Sequence, residues 1–519
     1  MYTLKSFGMA LLLCFLGGAE EAISQEESQE DRQEASQDEN GKSKSEQQWF
    51  EGRGKFGESG LKGLEILKKG AANYPKHREC FSCHHQTLPM FAMRMAVSGE
   101  TVSGKDEEGE FEEEMHAIHR FSMEALSRDL AALSDSEELD GRGLTLGYAL
   151  WTLDLANRSL GKGGVRSREF HRGELQVLKL RLIRKSLATQ QKDGRWRIHS
   201  HRPPAASSEL VATALVVSSL IELLGDLELP DSEKVAVREA IFRAMVWYAK
   251  CEEPSTTEDY CGLLWLGSAL NRFVNSELWK GEVFQGGIFE GPGGRELGRD
   301  DLDSDQDLFL ESRIEVAKLA EQEASVEQAQ AIAGLLGLTN NDFFFKKYVI
   351  SDTGELKLSR SRMWRDWLKS RYSREEILEI MRADRRRGLN DTGRRLVGAQ
   401  NSDGGWAQAK GMESDAYSTG MVLLVLGEVY SRLNGGVPPT SGSPTYLLFG
   451  YHLRGLRYLM ESQGEDGSWH VSSRATPVQE YFDNEDPHET DQFISIMGTA
   501  WASAALLNAW KEQPMPLSR

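Results

Sequence analysis

Cysteine is scarce: the chain has five in 519 residues. So few thiols in so long a chain exclude a disulfide-stapled scaffold. A basic excess is missing too, since Asp plus Glu outnumber Lys plus Arg by 80 to 61 and the net charge is −19. That balance argues against nucleic acid or an anionic membrane surface as the main partner, because either needs a basic face. The acid reads as ordinary solubility. Beyond the N-terminus no run reaches the ~20 consecutive apolar residues of a membrane span. Strand signals are scarce throughout. There is no G-x-x-x-x-G-K-[ST] phosphate loop, no H-E-x-x-H zinc helix and no G-x-S-x-G elbow.

The N-terminus, MYTLKSFGMALLLCFLGGAEEA, places Lys5 before an apolar run from Phe7 to Leu16, then Gly17, Gly18 and Ala19. This is the pattern of a secretory signal over residues 1–19, and it is too short to span a bilayer. Cys14 lacks the small neighbours of a lipidation site. The expectation is a soluble exported protein, periplasmic or extracellular. Residues 20–48 are rich in Glu, Gln, Ser and Asp and almost without apolar side chains. Such a segment buries too little surface to offset its ordering entropy, so it reads as a disordered acidic linker. Four cysteines remain beyond the signal: Cys80, Cys83, Cys251 and Cys261.

The most specific signal present is a repeat. QQKDGRW (Gln190 to Trp196), QNSDGGW (Gln400 to Trp406) and QGEDGSW (Gln463 to Trp469) share Q-x-x-D-G-x-W without gaps. Asp-Gly marks a turn, and Gln and Trp bracket it, where an amide can bond free backbone groups and an indole can cover the junction. These residues read as staples of the fold rather than catalysts. Each motif follows an amphipathic helical pattern and precedes a helix apolar on nearly every side: SSELVATALVVSSLIELL, SDAYSTGMVLLVLGEVY and TDQFISIMGTAWASAALLNAW. Apolar all round means buried. Weaker copies lie at Gly143 to Ala156, at Asp259 to Leu270 and in HQTLPMFAMRMA, which begins at His85. Six buried helices alternating with amphipathic ones predict an all-α protein of two concentric layers closing into a ring of about six repeats.

With these residues in view, the sequence resembles the terpenoid cyclase and protein prenyltransferase superfamily, whose fold is an α/α toroid. Arg454-Gly455, Tyr458-Leu459, Gln463, Gly467 and Trp469 fall in the spacing of the squalene-hopene cyclase QW motif. The resemblance implies a toroid over residues 60–510 around an apolar cavity. It is interrupted over 275–385, which holds GGIFEGPGG and the acidic run DDLDSDQD and reads as an insertion.

The chemistry of that family does not carry over intact. The D-x-D-D proton-donor motif is absent, and Asp300, Asp301, Asp303, Asp305 and Asp307 match neither it, nor DDxxD, nor an EF-hand loop. Asp259-Tyr260-Cys261 has the spacing of the prenyltransferase zinc pair but sits in a core-like helix. Glu209, Asp259, Asp415 and Asp491 lie at or near the starts of buried helices, where acids cap and favour the helix dipole. A ring of such starts would also place them around one mouth of the cavity. On an enzyme reading, Asp415 and Asp491 are the proton donors for an apolar isoprenoid.

The same mouth would receive R-E-C-F-S-C-H-H, with Cys80, Cys83 and His84 in C-x-x-C-H spacing and His85 behind. Three chemistries fit. Haem c would bond Cys80 and Cys83 through its vinyl groups with His84 on the iron, and export suits that attachment. A group of exported bacterial proteins looks similar, pairing squalene-cyclase-like repeats with an N-terminal C-x-x-C-H. Further ligands near at hand are His85, His77 and Met90. Zinc could instead be held by both cysteines, a histidine and His77. A disulfide within the motif, or to Cys251 or Cys261, is the third. The leading expectation is a haem-binding toroid with a redox partner or an apolar ligand; the alternatives are a cyclase-like enzyme and a non-catalytic interaction scaffold.

Overall fold

The structure is a computed structural model, and it describes residues 44–97, 105–134, 137–159, 172–198, 202–225, 229–275, 349–350, 356–357, 371–373, 376, 389–434, 446–476 and 480–510. Residues 1–19, read as a signal, residues 20–43 of the segment read as linker, and nearly all of 275–385, read as an insertion, lie outside this set. Residues 44–48 form the opening turn of the first helix, so helical structure begins inside the segment read as linker.

The described chain is mostly helical. In chain order the helices are α1 (Lys44–Asn73), α2 (Leu88–Val97), α3 (Lys105–Ala131), α4 (Arg142–Ser159), α5 (Arg172–Thr189), α6 (Glu209–Leu224), α7 (Asp231–Lys250), α8 (Thr257–Asn275), α9 (Leu389–Gly398), α10 (Ala416–Asn434), α11 (Tyr446–Ser462) and α12 (Gln492–Trp510). A 3-10 turn (Tyr74–Lys76) and a π turn (Cys83–Thr87) precede α2. The strand pairing among the described residues is a two-residue antiparallel ladder, Val349–Ile350 with Leu356–Lys357.

All six segments read as buried helices are the even-numbered ones. Their mutual packing runs α2 to α4, α4 to α6, α6 to α8, α8 to α10, α10 to α12, and α12 back to α2. The odd-numbered helices lie against them: α3 on α2, α5 on α4, α7 on α6, α9 on α8, α11 on α10 and α1 on α12. Helix α12 has the length and hydropathy of a membrane span, contrary to the sequence expectation, but 89% of that stretch is buried inside the fold. It is a core helix by burial.

The Gln-Trp turns join these elements by one repeated network. Each indole nitrogen donates to a carbonyl of the helix before it: Trp196 to Ser186, Trp406 to Leu396 and Trp469 to Leu459, at 2.9, 2.7 and 2.8 Å. Each Trp backbone N–H donates to a threonine hydroxyl of the following buried helix: Thr213, Thr419 and Thr499. Each glutamine amide donates twice, closing its own turn on Gly194, Gly404 or Gly467 and reaching the carbonyl of Ala240, Tyr451 or Ser59. The third turn thus clasps α1, the first helix of the chain. The glycines have φ of 104°, 87° and 96°. A Cβ there would sit 2.1 Å from the Arg243 carbonyl oxygen, 2.7 Å from that of Arg454 and 2.8 Å from that of Lys62. Glycine is required twice over, by conformation and by proximity.

Aromatic rings from several of the buried helices meet. Trp151 of α4 lies 5.6 Å from Trp265 of α8 and 6.2 Å from Trp501 of α12, which is 6.4 Å from Trp265. Phe91 of α2 touches Trp151 and Trp501 at 4.7 and 5.8 Å. These rings come from four of the six buried helices, and all four are buried.

Candidate functional site

Pro89 in the first turn of α2 requires no backbone donor there, so the chain enters that helix from the irregular stretch holding Cys80 to His85. Ser82 caps the π turn: its hydroxyl accepts the His85 N–H at 3.3 Å and lies 2.9 Å from His84 Nδ1. Cys80 is exposed and Cys83 partly buried, and Cys80, Cys83, Cys251 and Cys261 are all free thiols. The Tyr74 hydroxyl contacts the Cys80 thiol at 3.2 Å. Burial pushes the Cys83 thiol up to about 12 and holds the His84 imidazole down at about 3, with the Arg202 charge acting in the same sense on His84. His84 is a neutral imidazole at any ordinary pH, the form a metal ligand needs.

His85 is fully buried, and burial, followed by neighbouring His84, lowers its pKa as well. Its Nδ1 bonds His84 Nδ1. Its Nε2 accepts from the Asn484 amide at 2.5 Å, and the Asp486 N–H fixes that amide by donating to Asn484 Oδ1 at 3.0 Å. Tyr74 stacks on the His85 ring at 4.8 Å. The loop bearing Asn484 is anchored to α1 by Asn73, whose amide donates to the Asp483 carbonyl at 2.7 Å. His85 is therefore a structural group with both nitrogens engaged. His77 lies over Phe482 at 5.1 Å, and Met90 is packed in the core.

Tetrahedral zinc needs four ligands, yet among the described residues no three His, Cys, Asp or Glu side chains converge. Among the described residues no disulfide links the cysteines, and Cys251 and Cys261 are both buried. Cys80 and Cys83, separated by two residues, are free thiols, and His84 follows directly.

The acids at the helix starts divide by role. Asp415 caps α10, accepting the Ser418 N–H at 2.8 Å, and burial raises its pKa to about 6. Asp259 completes a capping box with Thr256, each side chain accepting the other's backbone N–H, at 3.2 and 3.1 Å. Glu209 pairs with Arg195 at 2.7 Å. Asp491 accepts from the Ser473 N–H and bonds His470.

Sequence reasoning passed over the residue beside Asp259. Glu258 is 4% exposed; its carboxyl accepts the Tyr417 hydroxyl at 3.1 Å and the Ser207 hydroxyl at 2.9 Å. Burial raises its pKa to about 8, against the smaller opposing effect of those two hydrogen bonds. Helical spacing could have found it: Glu258 shares a face with Cys261 and Trp265, both buried, whereas Asp259 turns back to the preceding loop. Asn484 had no comparable signal, since its role comes from a contact 399 residues away. No protein-family model matches the chain and no curated protein matches it in sequence, so its chemistry has to be read from these residues themselves.

Proposed function

We propose that this chain is an exported α/α toroid that carries haem c at Cys80 and Cys83, with His84 as an iron ligand, and that it serves a redox or ligand-binding role. The observation that carries the reading is the C-x-x-C-H run itself, Cys80, Cys83 and His84 with both thiols free, lying just before buried helix α2. The succession of packed helices from α2 through α12 and back, and the last Gln-Trp turn's grip on α1, support the toroid. The signal-like N-terminus supports export.

When bound, haem supplies a one-electron redox centre or a site for a small ligand on iron. The protein's own part is to present and orient. Cys80 is open to solvent with Tyr74 beside its sulfur, Ser82 holds the His84 ring, and Asn484 and Tyr74 fix His85 behind it. Production in a host that attaches haem to exported proteins, followed by a visible spectrum, tests this. A Soret band that is lost in Cys80→Ser/Cys83→Ser is expected, and its absence from the unaltered protein refutes the assignment.

A second reading, suggested by the family resemblance, is an enzyme acting on an apolar isoprenoid. Glu258 favours it, because a buried carboxyl kept protonated near neutral pH can give up a proton in apolar surroundings. Asp415 and Asp491, the donors suggested by sequence, are instead held by capping and loop contacts. Incubation with linear terpenoids should then yield cyclised products, lost in Glu258→Gln; no conversion by the unaltered protein removes this reading.

A further inference from the structure

Residues 78–82 run from the 3-10 turn to the π turn outside any helix or strand, so their backbone groups need partners from elsewhere. Helix α3 supplies them. Asp129 Oδ2 accepts the Phe81 N–H at 3.2 Å, and the Arg128 guanidinium donates to the Glu79 carbonyl at 2.6 Å. Those two groups belong to the peptide units on either side of the Cys80 Cα. A third tie runs through Gln86, whose Oε1 accepts the Ser82 N–H at 3.1 Å and the Ser122 hydroxyl at 3.3 Å. Ser122 and Asp129 lie two helical turns apart and so share one face of α3. The end of α3 is fixed in its turn by Arg181 of α5, which donates to the Leu130 carbonyl at 2.5 Å.

Within this grip the side chains divide. The Phe81 ring is buried, whereas Cys80 before it is exposed, with the Tyr74 hydroxyl 3.2 Å from its sulfur. Cys83 is partly buried and packs against the core. The two thiols of one C-x-x-C-H run therefore meet different surroundings, one open to solvent and one shielded.

We propose, on the reading of Cys80, Cys83 and His84 as the functional site, that Arg128 and Asp129 are its positioning residues: by gripping both peptide units around Cys80 they present that sulfur to soft electrophiles and keep Cys83 shielded. Both act through backbone groups rather than on a thiol. Asp129 is the stronger hold, because it is partly buried while Arg128 is exposed, and an exposed hydrogen bond exchanges readily for one with water. Removing the Asp129 carboxylate leaves the Phe81 N–H without its acceptor. The stretch before the π turn can then open locally and uncover Cys83.

Alkylation of the full chain, produced without a haem attachment pathway, reads the two thiols separately. A thiol adds across the double bond of N-ethylmaleimide: one S–C bond forms, the S–H bond breaks, and its proton goes to the neighbouring carbon. No oxidant or reductant enters. Peptide mass spectrometry at one pH gives a rate for each cysteine. In the unaltered chain Cys80 should outpace Cys83 by about ten-fold or more, with buried Cys251 and Cys261 slower still. Asp129→Ala should raise the Cys83 rate by about ten-fold, the scale of one hydrogen bond to a charged group, and Arg128→Ala should raise it less. Cys251 and Cys261 should not change, and Asp129→Asn, which keeps an oxygen for Phe81, should restore the shielding. Equal rates at Cys80 and Cys83 in the unaltered chain, an unchanged Cys83 rate in Asp129→Ala, or a matching rise at Cys251 and Cys261 overturns the inference. Because the rates are read on the bare chain, a protein that takes up no haem can still pass, and one that takes it up can still fail.

Discussion

Gln463 and Ser59 exchange two hydrogen bonds across 404 residues of chain: the glutamine amide donates to the serine carbonyl at 2.9 Å, and the serine hydroxyl donates to Gln463 Oε1 at 2.6 Å. The last repeat thereby holds the first helix. A double-mutant cycle of Gln463→Ala and Ser59→Ala, followed by urea denaturation, should give a coupling of at least ~0.5 kcal/mol. Strict additivity would mean that the two do not interact in solution.

Gln190 and Gln400 make the equivalent bonds to Ala240 and Tyr451, without a serine partner. Replacing either by alanine strips a donor from two carbonyls at a helix junction, at about 1–3 kcal/mol. Gln400 Oε1 in addition accepts from Arg454 Nε at 3.0 Å, so chemical denaturation should show a loss for both and the larger one for Gln400→Ala. No loss at either would break the account of the turns.

Gly194→Ala should be among the most damaging single changes. It combines a φ of 104° with a Cβ placed 2.1 Å from the Arg243 carbonyl oxygen, and backbone on both sides leaves nothing flexible to yield. A cost of roughly 2 kcal/mol or more is expected from strain at a left-handed position with overlap. Gly173→Ala serves as a control, since a Cβ there meets nothing within 4 Å. Thermal melts of the two variants should separate clearly, and equal melting temperatures would contradict the packing described.

Asp415 separates capping from catalysis. Asp415→Asn keeps an oxygen for the Ser418 N–H and removes a charge whose burial raises the pKa to about 6. A folded-state pKa above the ordinary value means that ionisation opposes folding, so the native protein loses stability as pH rises from about 4 through 6. The asparagine variant should lack that loss and match or exceed the parent's stability at pH 7. Asp415→Ala, which loses the cap, should fall by about 1 kcal/mol. Denaturation curves at pH 4 and pH 7 decide it, and a loss in Asp415→Asn equal to that of the alanine variant would refute the charge argument.

These features differ in how far they were legible from sequence. The six buried helices could be read because apolar residues on every side of a helix leave it nowhere to go but the core, and the Q-x-x-D-G-x-W turns because one geometry recurs three times. The threonines that receive the Trp N–H groups were not, since a Thr inside an apolar helix carries no local mark. The meeting of the tryptophan rings was hidden for a related reason. Trp151, Trp265 and Trp501 each read as core, and only the fold brings their rings together. At the candidate site, Cys80, Cys83 and His84 announce themselves by spacing. Asn484 and Glu258 act through partners 399 and 159 residues distant, which local pattern does not reveal.

Asn484→Ala should leave His85 Nε2 buried without a partner, at about 1–3 kcal/mol by thermal or urea denaturation. An unchanged stability would mean that the loop does not hold the histidine pair.

The haem assignment itself is most directly tested by the intact mass of the mature chain, purified after export through a c-type haem attachment pathway. A single species heavier than the polypeptide by one haem, reverting to the bare chain in Cys80→Ser/Cys83→Ser, is the predicted result. A chain at its bare mass with two alkylatable thiols at Cys80 and Cys83 would contradict it.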